Sequence, residues 1–229
     1  YSPKFFRANP TPSLFEGLGI VNGVKPQLNC NVCNTGDIHI NGLEGPYTMV
    51  LIDGMPIVSA LSTVYGLQGI PNSLVERMEV VKGPASTLYG SEAVGGLINV
   101  ITKDPRNAPR FSLDLNQTSF GETGADLSGR VGKGKATGLI AANLFHFQRR
   151  WDVNNDNFTD VTLQKRASVF GKIAFERPQN RIANIAGRYV WEDRFGGELQ
   201  WTPRWYGSDS IYGEAIRTNR AELIGNWQL

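Results

Sequence analysis

The sequence predicts a mixed α/β module over residues 1–105, followed over residues 106–229 by strands of an antiparallel transmembrane β-barrel. Two observations favour a turn-rich β protein. Glycine accounts for 26 of the 229 residues, and charged residues for only 19%, against about 25% in ordinary soluble domains. The third observation is a change of pattern near residue 110, where short strands between glycine-rich turns give way to long segments that alternate with period two.

Charge and hydropathy exclude two classes of protein. The chain has 23 Lys and Arg against 21 Asp and Glu, a formal net charge of +2, which argues against a nucleic-acid binder with a broad basic surface. Mean hydropathy is −0.25, and no apolar run approaches the ~18 residues of a transmembrane helix. The second class excluded is therefore a helical membrane protein. The first residues do not resemble a signal peptide, so we expect any targeting segment to have been removed.

The first module begins with a predicted helix. Thr11 is expected to be the N-cap and Pro12 the first helical residue, since proline fits the first turn without losing a hydrogen bond. The helix is expected to end at Gly23 and to present one apolar face made of Leu14, Phe15, Leu18 and Val21. Four short strands are predicted after it, at residues 38–41, 47–53, 75–82 and 97–102.

The second module contains six alternating segments, at residues 111–117, 125–132, 137–149, 163–176, 181–193 and 221–229. Alternation alone would also suit a soluble sandwich. Three features favour a membrane barrel. The longest segments have about twice the usual 5–6 residues of a strand; Tyr189, Trp191 and Trp227 lie near segment ends; and short turns alternate with long loops, as in an up-and-down barrel.

The two cysteines, Cys30 and Cys33, form a CxxC pair with three interpretations. A zinc site would need two more ligands, and the two histidines lie far apart in unlike contexts. A thioredoxin-type site would need a helix after the first cysteine, where turn-forming residues stand instead. A small disulfide in an oxidising compartment is the interpretation we favour.

Two motifs resemble a known family. Residues 77–103 read RMEVVKGPASTLYGSEAVGGLINVITK, and residues 49–57 read MVLIDGMPI. Together they closely resemble the plug domain of TonB-dependent outer-membrane receptors, in the siderophore, haem and cobalamin form. The resemblance implies a barrel of about 22 strands closed around the plug. Six strands cannot close it, so we expect the chain to be a fragment that lacks the first part of the plug and the TonB box.

The family's function is active import. The resemblance implies binding of a scarce metal chelate (an iron siderophore, haem or cobalamin) and TonB-driven plug rearrangement, with no catalytic residue and no required cofactor. Expected partners are TonB with its inner-membrane energising complex, the chelate, outer-membrane lipid and a surface lipoprotein, and no nucleic acid. Two alternatives are a non-transporting binding or scaffold protein and an outer-membrane barrel enzyme.

The resemblance also implies roles for plug residues. Charged residues at the positions of Arg77, Glu79 and Lys82 pair with acidic residues of the barrel wall in the family, and the alternative is solvated strand charges. Plug loops at the extracellular apex would contact cargo. The candidates there are Ser59, Ser62, Thr63, Tyr65, Ser86 and Tyr89, although Tyr65 and Tyr89 could instead pack inside the plug.

Two loops of the second module carry further candidates. Trp201, Trp205 and Tyr206 could stack on a flat cargo or belong to the membrane-interface girdle. Oxygen ligands occur at every second position in a second loop, which resembles the start of a calcium-binding loop: Asp152, Asn154, Asp156 and Asp160. The glycine at position six and the bidentate glutamate at position twelve are missing, and a hydrophilic loop is the alternative.

Overall fold

The computed structural model describes residues 1–9, 11–30, 35–57 and 66–228. The first module, called the plug below, contains α1 (Pro3–Ala8), α2 (Leu14–Gly17), β1 (Val24–Cys30), β2 (Thr35–Ile40), β3 (Thr48–Ile52), β4 (Met55–Pro56), β5 (Val75–Lys82), α3 (Ser86–Tyr89) and β6 (Gly96–Thr102). Strands β1 and β2 pair as an antiparallel hairpin. The other four form a sheet of order β4-β3-β6-β5, in which β3 and β6 are parallel.

The second module is one antiparallel sheet in which neighbours along the chain are neighbours in space. It is called the wall below, and its strands are β7 (Ser112–Gln117), β8 (Thr123–Lys133), β9 (Ala136–Phe147), β10 (Leu163–Phe175), β11 (Ala183–Gly197) and β12 (Gly213–Trp227). Short turns after β8 and β10 alternate with long loops after β9 and β11. The predicted up-and-down arrangement is confirmed.

Short 3₁₀ turns complete the secondary structure, at Leu18–Ile20, Gly45–Tyr47, Asn72–Leu74, Ser91–Ala93, Pro178–Asn180 and Pro203–Trp205. Among the described residues, none of the helices combines the length and the apolar character needed to cross a membrane.

The predicted first helix is right in its buried face and wrong in its ends. Its N-cap is Ser13, whose Oγ accepts a hydrogen bond from the Glu16 amide at 3.3 Å. The Thr11 hydroxyl instead donates to the Ser13 carbonyl, because the chain is still extended at Ser13. The α-helix ends at Gly17 rather than Gly23 and continues as a 3₁₀ turn.

The plug core lies between α2, the hairpin and the four-stranded sheet. Its most enclosed side chains are less than 2% exposed and include Leu14, Leu18, Ile38, Ile40, Leu74, Met78 and Ile98. The same apolar cluster continues into the wall through Leu139, Ala141, Phe170 and Ala186. The plug therefore packs directly on one face of the wall.

The wall has the reverse polarity of a soluble sheet, because its exposed face is apolar and its buried face is polar. Large apolar side chains point away from the plug and are about half exposed or more, among them Leu127, Ile140, Leu144, Val169, Ile173, Ile185, Tyr189 and Leu223. The charged side chains of Arg166, Lys172, Arg188 and Arg194 point towards the plug and are buried. An apolar outer face and a polar inner face are typical of a membrane-spanning barrel strand.

This polarity gives a test of the wall's environment. Val169 is 52% exposed and Val153, in the loop after β9, is 76% exposed. In the protein refolded in lipid vesicles, Val169→Arg should lower the free energy of unfolding by about 2–4 kcal/mol, because it places a charge in the apolar band. Val153→Arg should change it by less than about 0.5 kcal/mol. Equal small effects in a denaturant titration would contradict a lipid-facing β10.

Candidate functional site

One plug segment, residues 66–72, is held against the wall by polar contacts. Arg188 donates from Nη1 to the Gly66 carbonyl oxygen at 2.9 Å. The Arg194 guanidinium donates to the Gln68 side-chain oxygen, and the Ser168 hydroxyl donates to the Gly69 carbonyl. All three wall donors are buried. In each of these hydrogen bonds a wall side chain is the donor and a plug oxygen is the acceptor.

Gly69 is required at the closest approach of this segment. Its φ is +72°, a conformation that favours glycine, and a Cβ built there would lie 3.2 Å from Cδ of Arg166 and 3.4 Å from Cβ of Ser168. A larger residue would be strained by the positive φ, and the Arg166 side chain would have to shift by a few tenths of an ångström to make room. The segment ends at Asn72, whose amide donates to Oδ2 of Asp126 on β8 at 2.6 Å.

A second attachment joins the turn after β3 to β10. Lys172 Nζ lies 2.8 Å from Oδ2 of Asp53, and both side chains are largely buried. Asp53 also accepts hydrogen bonds from the amide and hydroxyl of Thr102 at 2.8 and 2.7 Å. The sequence places Asp53 directly after an apolar strand, but no sequence pattern identifies Lys172 as its partner 119 positions later.

The three proposed latch residues make contacts inside the plug. Arg77 pairs with Glu79 at 2.7 Å, with both side chains about half exposed, and this hydrogen bond holds the pKa of Glu79 below its usual value. Lys82 donates to the Asn22 carbonyl. Their pairing with acidic residues of a barrel wall stays a prediction.

The plug residues expected to contact cargo fall into two groups. Ser59, Ser62, Thr63 and Tyr65 lie outside the described residues. Ser86 and Tyr89 begin and end α3. Tyr89 is half-buried and packs against the small apolar cluster of Met49, Leu51, Ala93 and Leu97, so its described contacts are those of a packing residue.

The aromatic loop after β11 surrounds an open pocket of about 420 Å³. Trp201, Trp205, Tyr206 and Tyr212 line this pocket. Trp201 also stacks on Phe195 with ring centroids 3.9 Å apart, whereas Tyr206 is 58% exposed. The hydrogen bond from the Tyr212 hydroxyl to Glu214 raises the pKa of Tyr212. Contact of Trp201, Trp205 and Tyr206 with a cargo stays a prediction.

The loop after β9 uses its acidic side chains to bind its own backbone. Asp152 accepts from the amides of Asp156 and Asn157 at 3.1 and 3.0 Å. Asp160 accepts from the Val153 amide at 2.6 Å, and the Asn154 amide group donates to Asp156. Within the described ranges, no group of three or more His, Cys, Asp or Glu side chains is placed to hold a metal ion. A calcium site at these four residues stays a prediction.

The cysteine pair is only partly described. Cys30, at the end of β1, is disulfide-bonded, while Cys33 lies outside the described residues. The Cys30–Cys33 pairing therefore stays a prediction.

Comparison with known proteins supports the plug assignment. Residues 1–97 match the family model described as TonB-dependent Receptor Plug Domain. The chain is 30% identical over 169 residues to the probable TonB-dependent siderophore receptor PirA of Acinetobacter baumannii, covering 69% of this chain and 22% of the relative. It is 31% identical over 197 residues to the ferric enterobactin receptor PirA of Pseudomonas aeruginosa, covering 80% and 26%.

A third relative is the vitamin B12 transporter BtuB of Vibrio vulnificus, 32% identical over 116 residues, which cover 51% of this chain and 19% of the relative. The chain thus spans about a quarter or less of the length of these curated relatives.

Two solved structures share the fold. The siderophore receptor PirA from Pseudomonas aeruginosa aligns with a TM-score of 0.57 at 18% identity, covering 99% of this chain and 42% of that one. The siderophore receptor PiuA from Acinetobacter baumannii aligns with a TM-score of 0.61 at 21% identity, covering 80% and 24%. With a matching plug, a matching wall and an apolar outer face, this chain belongs to the TonB-dependent receptors of the bacterial outer membrane.

Proposed function

We propose that the receptor containing this chain imports a scarce metal chelate across the outer membrane. Cargo binds on the extracellular side, and TonB with its inner-membrane complex then moves the plug. The names of the relatives, two siderophore receptors and one vitamin B12 transporter, support import of a metal chelate as a class. A ferric siderophore is the first cargo to test and cobalamin the second.

The observation that carries this proposal is the polar attachment of segment 66–72 to the wall. A hydrogen bond from a charged group such as Arg188 or Arg194 contributes about 1.5–3 kcal/mol net, because water can replace either partner. Contacts of this kind hold the plug at rest and release it under a modest pull. A purely apolar seal would have no such replacement, since exposing each buried methylene costs about 0.8 kcal/mol.

Import separates this proposal from its alternatives. A binding or scaffold protein would bind cargo without needing the plug to move. An outer-membrane enzyme would change a bond in its substrate, whereas import leaves the chelate intact and needs no nucleophile or base. The relatives are receptors and a transporter rather than enzymes. A test of plug movement therefore distinguishes import from both alternatives most directly.

A disulfide across the plug–wall contact should block import. A Cβ at position 69 would lie 3.4 Å from Cβ of Ser168, near the 3.5–4.5 Å range of disulfides. In cells carrying full-length receptor Gly69→Cys/Ser168→Cys, we expect oxidation to abolish uptake of radioiron chelate and reduction to restore it. Binding of chelate to the oxidised receptor should be unchanged.

The two single-cysteine variants and the unmodified receptor, treated with the same oxidant and reductant, control for strain at position 69 and for reduction of the native disulfide. Full uptake by the oxidised double variant would refute movement of this segment.

The aromatic pocket should contribute to cargo affinity. Trp205→Ala and Tyr206→Ala should each weaken binding about tenfold, because truncating a well-placed aromatic anchor costs more than about 1 kcal/mol. Calorimetry on the full-length receptor would measure the affinity for a ferric tris-catecholate and for cobalamin. Each titration is run once with calcium and once with a calcium chelator. Trp227→Ala, at the opposite end of the wall, is the control. Unchanged affinity in both loop variants would assign the loop to the membrane interface.

A further inference from the structure

On strands β10–β12, the inner face of the wall carries one cation in each of five successive rows. The register aligns Gln164 with Arg194, Arg166 with Glu192, Ser168 with Val190 and Arg220, Phe170 with Arg188, and Lys172 with Ala186. Consecutive inward rows are two residues apart, about 6–7 Å along the strand. The five cations, called the cation ladder below, are Arg194, Arg166, Arg220, Arg188 and Lys172.

Acidic neighbours only partly neutralise the ladder. In the same five rows of β10–β12, the inward acids are Glu192 and Glu222. Glu192 lies within 4 Å of both Arg166 and Arg194, and Glu222 pairs with both Arg188 and Arg220. Each glutamate is thus shared between two arginines. On the neighbouring strands the register adds Asp126 and Asp114 to the row of Ser168 and Arg130 to the row of Lys172. Across the described wall strands, six cations therefore share these rows with four acids, and a positive excess remains.

Plug oxygens occupy three of the five cations. Arg194 binds the Gln68 side-chain oxygen, Arg188 the Gly66 carbonyl and Lys172 the Asp53 carboxylate. The fourth, Arg220, has a buried Nη1 with no hydrogen-bond partner. Guanidinium groups bind anionic oxygens more strongly than neutral carbonyls. Anionic oxygens could therefore replace the plug's carbonyls without leaving a buried charge unpaired.

We propose that an anionic chelate passes along the wall by binding successive cations of the ladder. Until the plug moves, plug oxygens bind these cations instead. This inference rests on the proposed import function and specifies its cargo as a chelate with anionic oxygens exposed. Steps of 6–7 Å let one cargo contact two rows at once, and the shared glutamates keep binding at each row weak enough for release.

Arg220 gives the cleanest test, because its ion pair is with Glu222 and it forms none of the three plug attachments itself. In cells with full-length receptor, Arg220→Gln should lower the maximal uptake rate of a radioiron tris-catecholate at least about fivefold, the scale of one charge-assisted hydrogen bond. The affinity of the receptor for the chelate should stay unchanged. Arg220→Lys, which keeps the charge, should retain most of the uptake and guards against a folding defect of the glutamine variant.

The matched control is Arg217→Gln, three residues away on β12, where the side chain is 59% exposed and points outward. Uptake by Arg220→Gln equal to that of Arg217→Gln would overturn the ladder. So would import of a neutral tris-hydroxamate chelate in place of the anionic one, which would leave the import function standing. Binding of chelates without any uptake by the unmodified receptor would overturn the import function and the ladder with it.

Discussion

The structure depends on one constraint: the charged side chains on the inner face of the wall must have hydrogen-bond or ion-pair partners. A sheet that faces lipid must place apolar side chains outside, and alternation then directs its polar side chains inside. In the wall these include four buried cations, Arg166, Lys172, Arg188 and Arg194. A buried charge without a partner costs several kcal/mol. The plug supplies oxygens where the wall's own glutamates do not suffice.

This constraint explains why the plug meets the wall through backbone carbonyls and a turn carboxylate. Segment 66–72 has glycines at 66 and 69, so the backbone can approach the wall closely enough for its carbonyls to reach Arg188 and Ser168. Apolar packing through Phe170 and Ala186 adds contact area, while the polar bonds fix the position. An attachment made of exchangeable bonds is stable at rest and suits a domain that has to move.

The sequence predicts the large-scale organisation well, because long alternating strands and a dense glycine motif leave a strong local signal. Strand β5 spans the predicted residues 75–82. Strand β1 is not predicted, because Lys25, Pro26 and Gln27 interrupt the pattern expected of a strand. Helix α1 is not predicted, because it is too short to show a helical period. The plug–wall partners escape for another reason. Asp53 and Lys172, or Gly66 and Arg188, meet only through the register of distant strands, which no local pattern encodes.

The central claim, that exchangeable polar bonds to the wall hold the plug, is tested most directly by hydrogen exchange on the full-length receptor carrying Lys172→Gln. Removing the partner of Asp53 should speed exchange at plug residues 53–57 and 100–103, where the Thr102 amide donates to Asp53, while β9 keeps its protection. Lys165→Gln, on the outer face of the same strand, should leave both unchanged. Unaltered plug protection in Lys172→Gln, or equal loss in plug and wall, would contradict the account.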